Sequence, residues 1–286
     1  MAKKKNSTPI SINNVIRKKV TIKEKPVVYP KCDNPNNLYV PNSTCVVITK
    51  FGLDKIENFH LKLNKFAQFS DELNRFKFDE KIEEFDFQKY KEVAIEYKKQ
   101  MKKFLKISDF EFKTDYRLLI GAEQSIYEIS IRLHHIYGIP YIPSTAIKGV
   151  VRSHFIEKYF YDEKNSEQEA FKDDDFKNYF GTQEQEGKIV FLDAFPTTKP
   201  TIKVDIMNPH YGHYYNDGEA PTDTKNPIPI NFLTVEDTTF QFLIGFKDEV
   251  DNSFTKLFKE ALTEHGIGAK TAVGYGYFEV QKPKKR

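Results

Sequence analysis

The chain has 286 residues, of which 39% are hydrophobic, and it contains 25 phenylalanines and 16 tyrosines. It is long enough to bury a large aromatic core in one large domain or two small ones. No window approaches the ~20 consecutive apolar residues of a membrane span. The charged N-terminus also lacks the apolar stretch of a signal peptide, so we expect a cytoplasmic protein without a membrane partner.

Positive charge is concentrated at the two ends of the chain, although the net charge is only +3. Residues 1–31 contain nine Lys or Arg against one Glu, and residues 282–286 contain four Lys or Arg. We predict a flexible basic arm over 1–35 and a basic tail over 282–286. These segments either add salt-dependent contacts to phosphates or act only as disordered, solubilising tails.

A helical region is predicted after the basic arm. Between residues 90 and 105, apolar residues recur at i, i+3, i+4, i+7, i+11, i+14 and i+15. This spacing indicates an amphipathic helix whose apolar face packs on a core or on a partner helix. We predict that 53–106 is helical and belongs to a helical appendage, over 36–110, that packs on the rest of the protein.

Strands and helices alternate over 111–281, which we predict to be the core domain. Residues 112–136 alternate as two strands about a turn near Gly121, and a helix is predicted from Thr145 to about Tyr161. An acidic loop over 162–175 and a buried strand over 187–195 follow.

The second half of this domain begins with a long insertion before the third core strand, over about 196–235, which is rich in Pro, Asn and Tyr and has little periodicity. Residues 238–246 then alternate as a strand, and 250–262 have the pattern of an amphipathic helix. Val273–Val280 is rich in β-branched and aromatic residues, which indicates a last strand. Without the insertion the order is β–α–β–β–α–β, which suggests an α+β, ferredoxin-like fold, the architecture of RRM domains.

The segment GIGAKTAVGYGYF at 266–278 is the most distinctive of the sequence. Four of the 13 glycines fall within it, and with Lys270 and Thr271 they indicate a loop shaped to hold phosphate. Walker A and Rossmann motifs need a strand before the loop and a helix after it, whereas here the helix comes first. The alternative is a tight turn between helix and strand.

Three segments resemble the RAMP superfamily, the RNA-binding proteins of CRISPR systems. The glycine-rich loop resembles the family's C-terminal G-x-G-x-K-T-x-x-G-Y-G-x-F signature. GIPYIPSTAIKGVVR at 138–152 resembles its G-x-P-Y-I-P-G-S-S-x-K-G-x-x-R segment, with Ser144 in place of the usual glycine. DIMNPHYGHYY at 205–215, followed by NPIP and FLTV, is similar to a narrower family, subunit six of type III-B (Cmr) effector complexes.

This resemblance implies a ferredoxin-like RAMP fold and a non-catalytic subunit of a CRISPR ribonucleoprotein in antiviral defence. Such a subunit binds guide RNA toward its 3′ end and helps seat target RNA. Its implied protein partners are other RAMP subunits, namely the backbone subunit and the tail-capping subunit, and the small helical subunit. No cofactor is implied.

The start of the helix near Ser144 is the second predicted phosphate site. With Ser144 or Thr145 as N-cap, the helix presents free N–H groups and a positive dipole end, and Lys148 and Arg152 lie on one face behind it. A solvated edge of an amphipathic helix is the alternative. Given the resemblance, the predicted RNA contacts are Ser144, Thr145, Lys148, Arg152, Gly266, Gly268, Lys270, Thr271, Gly274, Tyr275 and Gly276. Asn208, His210 and Tyr211 are candidate contacts to RNA or to a neighbouring subunit.

Two other functional classes stay open. A stand-alone RAMP endoribonuclease that processes CRISPR precursor RNA would use His154 or His210 as acid or base, but no pair has a spacing that demands this. A protein-only scaffold would need none of the predicted RNA contacts. No metal site is predicted, because the two histidines of His210-x-x-His213 have no third ligand at a fixed spacing.

Overall fold

The structure, a computed structural model, describes residues 38, 40–70, 75–77, 87–121, 123–125, 128–161, 164–207 and 229–280. The predicted basic arm and tail therefore lie outside the described residues, as do the candidate contacts Asn208, His210 and Tyr211. Among the described helices, none is long and apolar enough to cross a membrane.

The N-terminal part combines helices with a small hairpin, so the prediction that 53–106 is helical is only partly correct. In the hairpin Phe69 is paired with Phe76, and aromatic residues favour strands. The elements are α1 (Asn42–Phe51), α2 (Phe59–Lys65), β1 (Gln68–Ser70), β2 (Arg75–Lys77) and α3 (Phe87–Phe104).

Contacts from α2 and α3 join this part to the following residues. Asn58 caps α2 by accepting the N–H of Leu61 at 3.1 Å. Its side-chain amide also donates to the carbonyls of His135 and Ile136 at 2.9 and 2.8 Å. The buried Tyr90 of α3 packs against the rings of Tyr137 and Phe195, with centroids 5.4 and 5.6 Å away.

The described residues between 106 and 280 form a mixed α+β structure with antiparallel sheets. The helix predicted from Thr145 to about Tyr161 is confirmed as α4, whereas the predicted acidic loop over 162–175 contains α5 and the first residues of α6. The elements up to the middle of the chain are β3 (Lys106–Thr114), β4 (Arg117–Leu118), β5 (Glu123–Ser125), β6 (Glu128–Ser130), α4 (Ser144–Phe160), α5 (Ser166–Ala170) and α6 (Asp174–Phe180). Those that follow are β7 (Ile189–Phe191), β8 (Phe195–Pro196), β9 (Thr201–Met207), β10 (Ile230–Glu236), β11 (Thr239–Phe246), α7 (Asn252–Glu260) and β12 (Phe278–Val280).

The main sheet has the strand order β12-β3-β11-β7, and β8 also pairs with β11. Its centre is the long antiparallel pair of β3 and β11, so the strand predicted over 238–246 is confirmed. Helix α7 covers one face of this sheet. Its buried Phe258 lies with its ring centroid 6.1 Å from that of Phe112 on β3 and 5.8 Å from that of Phe242 on β11.

A second, three-stranded sheet has the order β4-β10-β9. β9 and β10 pair in register over seven residues each, from Met207 opposite Ile230 to Thr201 opposite Glu236. The sequence predicted little regular structure between 196 and 235, and here the structure differs. Four consecutive residues of β10 are buried, and a strand buried on both faces lacks the apolar–polar alternation that identifies strands in sequence.

The last strand is shorter than the predicted Val273–Val280. β12 begins only at Phe278, because Gly274 and Gly276 have φ angles of +92° and +78° and these left-handed conformations interrupt an extended backbone. Before them, α7 continues into a π-helical turn over Ala261–His265, and a 3₁₀ turn covers Thr271–Val273.

Candidate RNA-binding site

The glycine-rich loop is held against β4 by backbone hydrogen bonds. The N–H of Gly276 donates to the carbonyl of Arg117 at 2.8 Å, and that of Ala269 donates to the carbonyl of Leu119 at 2.9 Å. A third bond, from the N–H of Ile267 to the carbonyl of Gly276 at 2.9 Å, closes the loop on itself. The loop is therefore attached to the second sheet along β4 and the residue that follows it.

Gly276 and Gly274 have different functions in this loop. A Cβ atom on Gly276 would lie 2.0 Å from the carbonyl oxygen of Ile267, whereas a Cβ on Gly274 would meet nothing within 4 Å. Gly276 thus permits close packing of two backbone segments. Gly274 is needed only for its positive φ, and it lies on the open side of the loop.

The backbone at 270–272 joins a left-handed residue to the start of a 3₁₀ turn. Lys270 is in the left-handed conformation, with φ +63° and ψ +29°, and the 3₁₀ turn begins at the next residue. The first N–H groups of a helical turn have no acceptor within that turn. Adjacent left- and right-handed residues point successive N–H groups into one concavity, which suits an anion. Thr271 is half-buried and Ala272 is exposed, so a phosphate could reach this concavity.

The ammonium group of Lys270 is positioned by the second sheet. It lies 5.1 Å from the ring centroid of Phe232 on β10 and 3.1 Å from the sulfur of Met207 on β9. Both contacts are weak in comparison with a carboxylate partner. The charge of Lys270 therefore stays available to an anion beside the loop.

A polar network joins the loop to β4, β9 and β10. One oxygen of the Asp205 carboxylate accepts hydrogen bonds from the Tyr275 hydroxyl and the Arg117 guanidinium. Arg117 also lies 3.3 Å from the carboxylate of Glu236. Burial and the hydrogen bond to Asp205 together raise the pKa of Tyr275 to about 12, so its hydroxyl remains a donor at neutral pH.

Asp205 is the acceptor at the centre of this network. Burial by itself would raise the pKa of its carboxyl group, but hydrogen bonds from Tyr275, Arg117 and the N–H of Ile206 outweigh burial and lower the pKa below its ordinary value. The ionised form is therefore the one that stabilises the fold. This stabilisation is present above the unfolded-state pKa, near 3.9, and is lost as the pH falls through the lower folded-state value.

We expect Asp205→Asn to lower the free energy of unfolding at pH 7 and to reduce its loss on acidification. Urea unfolding at pH 7 and near pH 3 would measure both effects. Asp174→Asn is the matched control, because that side chain is 91% exposed. If Asp205→Asn lost as much stability on acidification as the wild type, the ionised Asp205 carboxylate would not be what stabilises the fold.

The start of α4 differs from the predicted phosphate site. The N-cap residue is Pro143 and no side chain of the cap makes a hydrogen bond, so the assignment of Ser144 or Thr145 as N-cap is wrong. Instead, the N–H of Ser144 donates to the carboxylate of Asp193 at 2.6 Å. A protein carboxylate thus occupies the position where a phosphate was expected, and it interacts favourably with the helix dipole.

The two cations behind this helix end also have partners within the protein. The Lys148 ammonium donates to the carbonyl of Phe180 at 2.7 Å. The Arg152 guanidinium pairs with Glu167 at 2.5 Å and lies over the rings of Phe171 and Phe176. These contacts tie α4 to α5 and α6. That Lys148 and Arg152 also contact RNA remains a prediction.

The predicted residues therefore form two separate groups. The loop residues from Gly266 to Gly276 lie on β4 and beside β9 and β10, whereas the contacts at the start of α4 go to Asp193 and Phe180. Sequence reasoning did not select Tyr116, Arg117 or Phe232 as neighbours of the loop. No local pattern marks Tyr116 or Arg117, and Phe232 was noted only as part of the FLTV segment. The pairing of β4, β10 and β9 brings these residues to the loop.

His154, the candidate acid or base of a nuclease, is buried on α4. Its Nε2 atom is 4.0 Å from the Glu260 carboxylate and has no hydrogen-bond partner among the described residues. Burial and the neighbouring His265 lower its pKa. The imidazole is therefore neutral at pH 7 and is shielded from solvent.

Comparison with known proteins defines the class of protein. The RAMP superfamily profile matches residues 109–279, and the chain belongs to this superfamily. The match includes the second sheet, most of the main sheet and the glycine-rich loop.

Individual relatives point to one type of subunit. The chain is 39% identical over 223 residues to the CRISPR system Cmr subunit Cmr6 of Pyrococcus furiosus, covering 58% of this chain and 66% of the relative. It is 33% identical over 194 residues to the CMR subunit Cmr6 of Saccharolobus solfataricus, covering 64% and 62%. The chain thus spans just under two thirds of the length of each relative.

A solved assembly contains a similar chain. The cryo-EM structure of a type III-B Cmr-beta complex bound to cognate target RNA includes a chain with 31% identity and a TM-score of 0.53, and the match covers 69% of this chain and 66% of that one. The resemblance found in the sequence motifs is therefore confirmed.

Proposed function

We propose that this protein is a non-catalytic RNA-binding and assembly subunit of a type III-B CRISPR ribonucleoprotein. In this proposal it binds guide RNA toward its 3′ end, helps seat target RNA in antiviral defence in the cytoplasm, and contacts the backbone, tail-capping and small helical subunits. The observation that carries the RNA-binding part is the left-handed Lys270 followed by the 3₁₀ turn over Thr271–Val273, with the Lys270 ammonium held over Phe232 and not paired with a carboxylate in any contact of the described residues. The similarity of this protein to a chain of a Cmr complex bound to target RNA supports the assembly part of the proposal.

We infer that the main sheet and its helices form a ferredoxin-like unit. The strands β3, β7, β11 and β12 follow one another with α4 after the first and α7 after the third, which is the β–α–β–β–α–β connection of that fold. In this arrangement the β9–β10 hairpin is an insertion before the third core strand. It supplies Asp205, Met207 and Phe232 to the surroundings of the loop.

A subunit without nuclease activity agrees with the position of His154. A general base must lie within hydrogen-bond reach of the 2′-hydroxyl from which it takes a proton. The buried imidazole of His154 faces Glu260 instead. His210, the other candidate, lies outside the described residues.

We expect Lys270→Gln to weaken binding of a 12-nucleotide single-stranded RNA at least about tenfold, because a hydrogen bond to a charged group contributes ~1.5–3 kcal/mol. The slope of log affinity against log salt concentration should fall by about 0.7, which corresponds to one phosphate contact to a single strand. Fluorescence anisotropy of the full chain between low and moderate salt would measure both. Lys256→Gln, at a side chain on α7 that is 77% exposed, should match the wild type.

Three outcomes would overturn the proposal. The first is that the wild-type chain binds no RNA in the same titration. The second is that the wild-type chain cleaves the RNA and His154→Ala does not, which would favour the nuclease. Finally, a tagged copy purified from native cells should bring other RAMP proteins and short RNAs with a fixed 5′ repeat-derived end, and recovery of the chain alone would exclude the assembly function.

A further inference from the structure

We propose that Tyr116 is a stacking platform for an unpaired base of the RNA strand whose phosphate lies at 270–272. This inference rests on the proposed RNA-binding function and adds to it a second type of contact. It predicts that the site takes single-stranded RNA, with at least one base turned away from its neighbours.

Exposure is the first observation that singles out Tyr116. The residue lies in the turn between β3 and β4 and is 51% exposed. It is close to the loop, since its ring centroid is 5.7 Å from that of Tyr275 in an edge-to-face arrangement. An exposed aromatic ring beside a phosphate site is what proteins use to bind the bases of single strands.

The two side chains next to the ring, Arg117 and Tyr275, are themselves anchored. The Arg117 guanidinium lies 5.3 Å from the centroid of the Tyr116 ring. Arg117 is itself paired with Asp205 and Glu236, and Asp205 also accepts from Tyr275. Because Arg117 and Tyr275 are already held by hydrogen bonds and ion pairs, a base that stacks on Tyr116 orders few additional side chains. A lower ordering cost of this kind favours binding.

Backbone bonds connect the platform to the phosphate concavity. The carbonyl of Arg117 accepts from the N–H of Gly276, and the carbonyl of Lys270 accepts from the N–H of Tyr275 at 3.3 Å. These bonds connect the segment at 270–272 to the residue next to Tyr116. A strand that places a phosphate on the N–H groups of 270–272 has its neighbouring base free to reach Tyr116, whereas the bases of a duplex are stacked inside it.

The surroundings of Tyr116 favour RNA over a protein partner. The core of a protein interface is depleted of charged residues. Here the Arg117 guanidinium lies over the ring, and Lys270 is on the same loop as the neighbouring Tyr275. Cations next to an aromatic ring are the combination found in grooves that bind single strands.

The test uses the full chain, a 12-nucleotide single-stranded RNA and the same RNA annealed to its complement. Tyr116→Ala should lower the affinity for the single strand about 5- to 150-fold, the range expected for the loss of one stacked base. The salt slope should stay unchanged, because no phosphate contact is removed. Tyr116→Phe, which keeps the ring, should restore binding, and Tyr161→Ala, at an exposed tyrosine after α4, is the control.

A spectroscopic measurement provides an independent readout. With 2-aminopurine in place of single adenines, one position should lose fluorescence on binding to the wild type and to Tyr116→Phe, but not to Tyr116→Leu, which retains an apolar side chain without a π-face. Equal affinity of Tyr116→Ala and the wild type for the single strand would overturn the platform and leave the proposed function standing. The platform would also be overturned if Tyr116→Ala retained its RNA affinity but no longer recovered other RAMP proteins, since the ring would then contact a protein. Absence of RNA binding by the wild type would instead remove the proposed function itself.

Discussion

Gly276→Ala should lower the free energy of unfolding by more than ~2 kcal/mol. The φ angle of +78° costs a residue with a Cβ atom about 1–2 kcal/mol. In addition, the new Cβ atom would lie 2.0 Å from the Ile267 carbonyl oxygen, and this backbone atom cannot move away as the end of a side chain could. Urea unfolding followed by circular dichroism would measure the loss.

Gly274→Ala separates the two causes. Its φ angle is +92°, but its Cβ atom would meet nothing within 4 Å, so only the conformational cost of about 1–2 kcal/mol applies. Because Gly276 also donates to the Arg117 carbonyl, Gly276→Ala should weaken RNA binding more than Gly274→Ala does. If both variants lost the same stability, the close contact of Gly276 with Ile267 would not be important for the fold.

Phe258→Ala should destabilise the protein by ~3–5 kcal/mol, which is the range for removing a buried phenylalanine. The side chain is fully buried between α7 and the main sheet. Its ring centroid lies 5.3 Å from that of Phe110, 6.1 Å from that of Phe112 and 5.8 Å from that of Phe242. Removing the ring leaves a cavity, and the three aromatic neighbours on two strands cannot easily move to fill it.

Phe104→Ala is the matched control, because it makes the same chemical change at a residue that is 79% exposed. Its effect on stability should stay within about 0.5 kcal/mol. Phe258→Ala should leave the salt slope of RNA binding unchanged at temperatures where it is folded, in contrast to Lys270→Gln. A stability loss below that of Phe104→Ala would show that α7 does not cover the sheet through Phe258.

The features that sequence analysis identified correctly depend on local steric rules. Helix α4 and strand β11 were recognised because apolar residues recur at spacings of 3.6 and 2 along one segment. The glycine-rich loop was recognised because positive φ angles strongly favour glycine, and Gly274 and Gly276 do adopt them. The same local motifs identified the RAMP superfamily.

The hydrogen-bond partners at the start of α4 were missed because they are distant in the sequence. Ser144 and Asp193 are 49 residues apart, and Lys148 and Phe180 are 32 apart. Local spacing therefore predicted an open phosphate site at the start of α4 where the fold places a carboxylate. Strand β10 was missed for a different reason, since four consecutive buried residues remove the apolar–polar alternation that marks a strand.

The sequence by itself determined the family, the positions of α4 and β11, and a loop whose glycines take left-handed conformations. Only the tertiary structure decided which charged groups are free and which are paired. It left the Lys270 ammonium beside the loop, paired Lys148 and Arg152 internally, and brought Arg117, Asp205 and Tyr275 together although Asp205 and Tyr275 are 70 residues apart. The physical reason is that backbone conformation depends on neighbouring atoms in the chain, whereas the pairing of charges depends on which strands lie side by side.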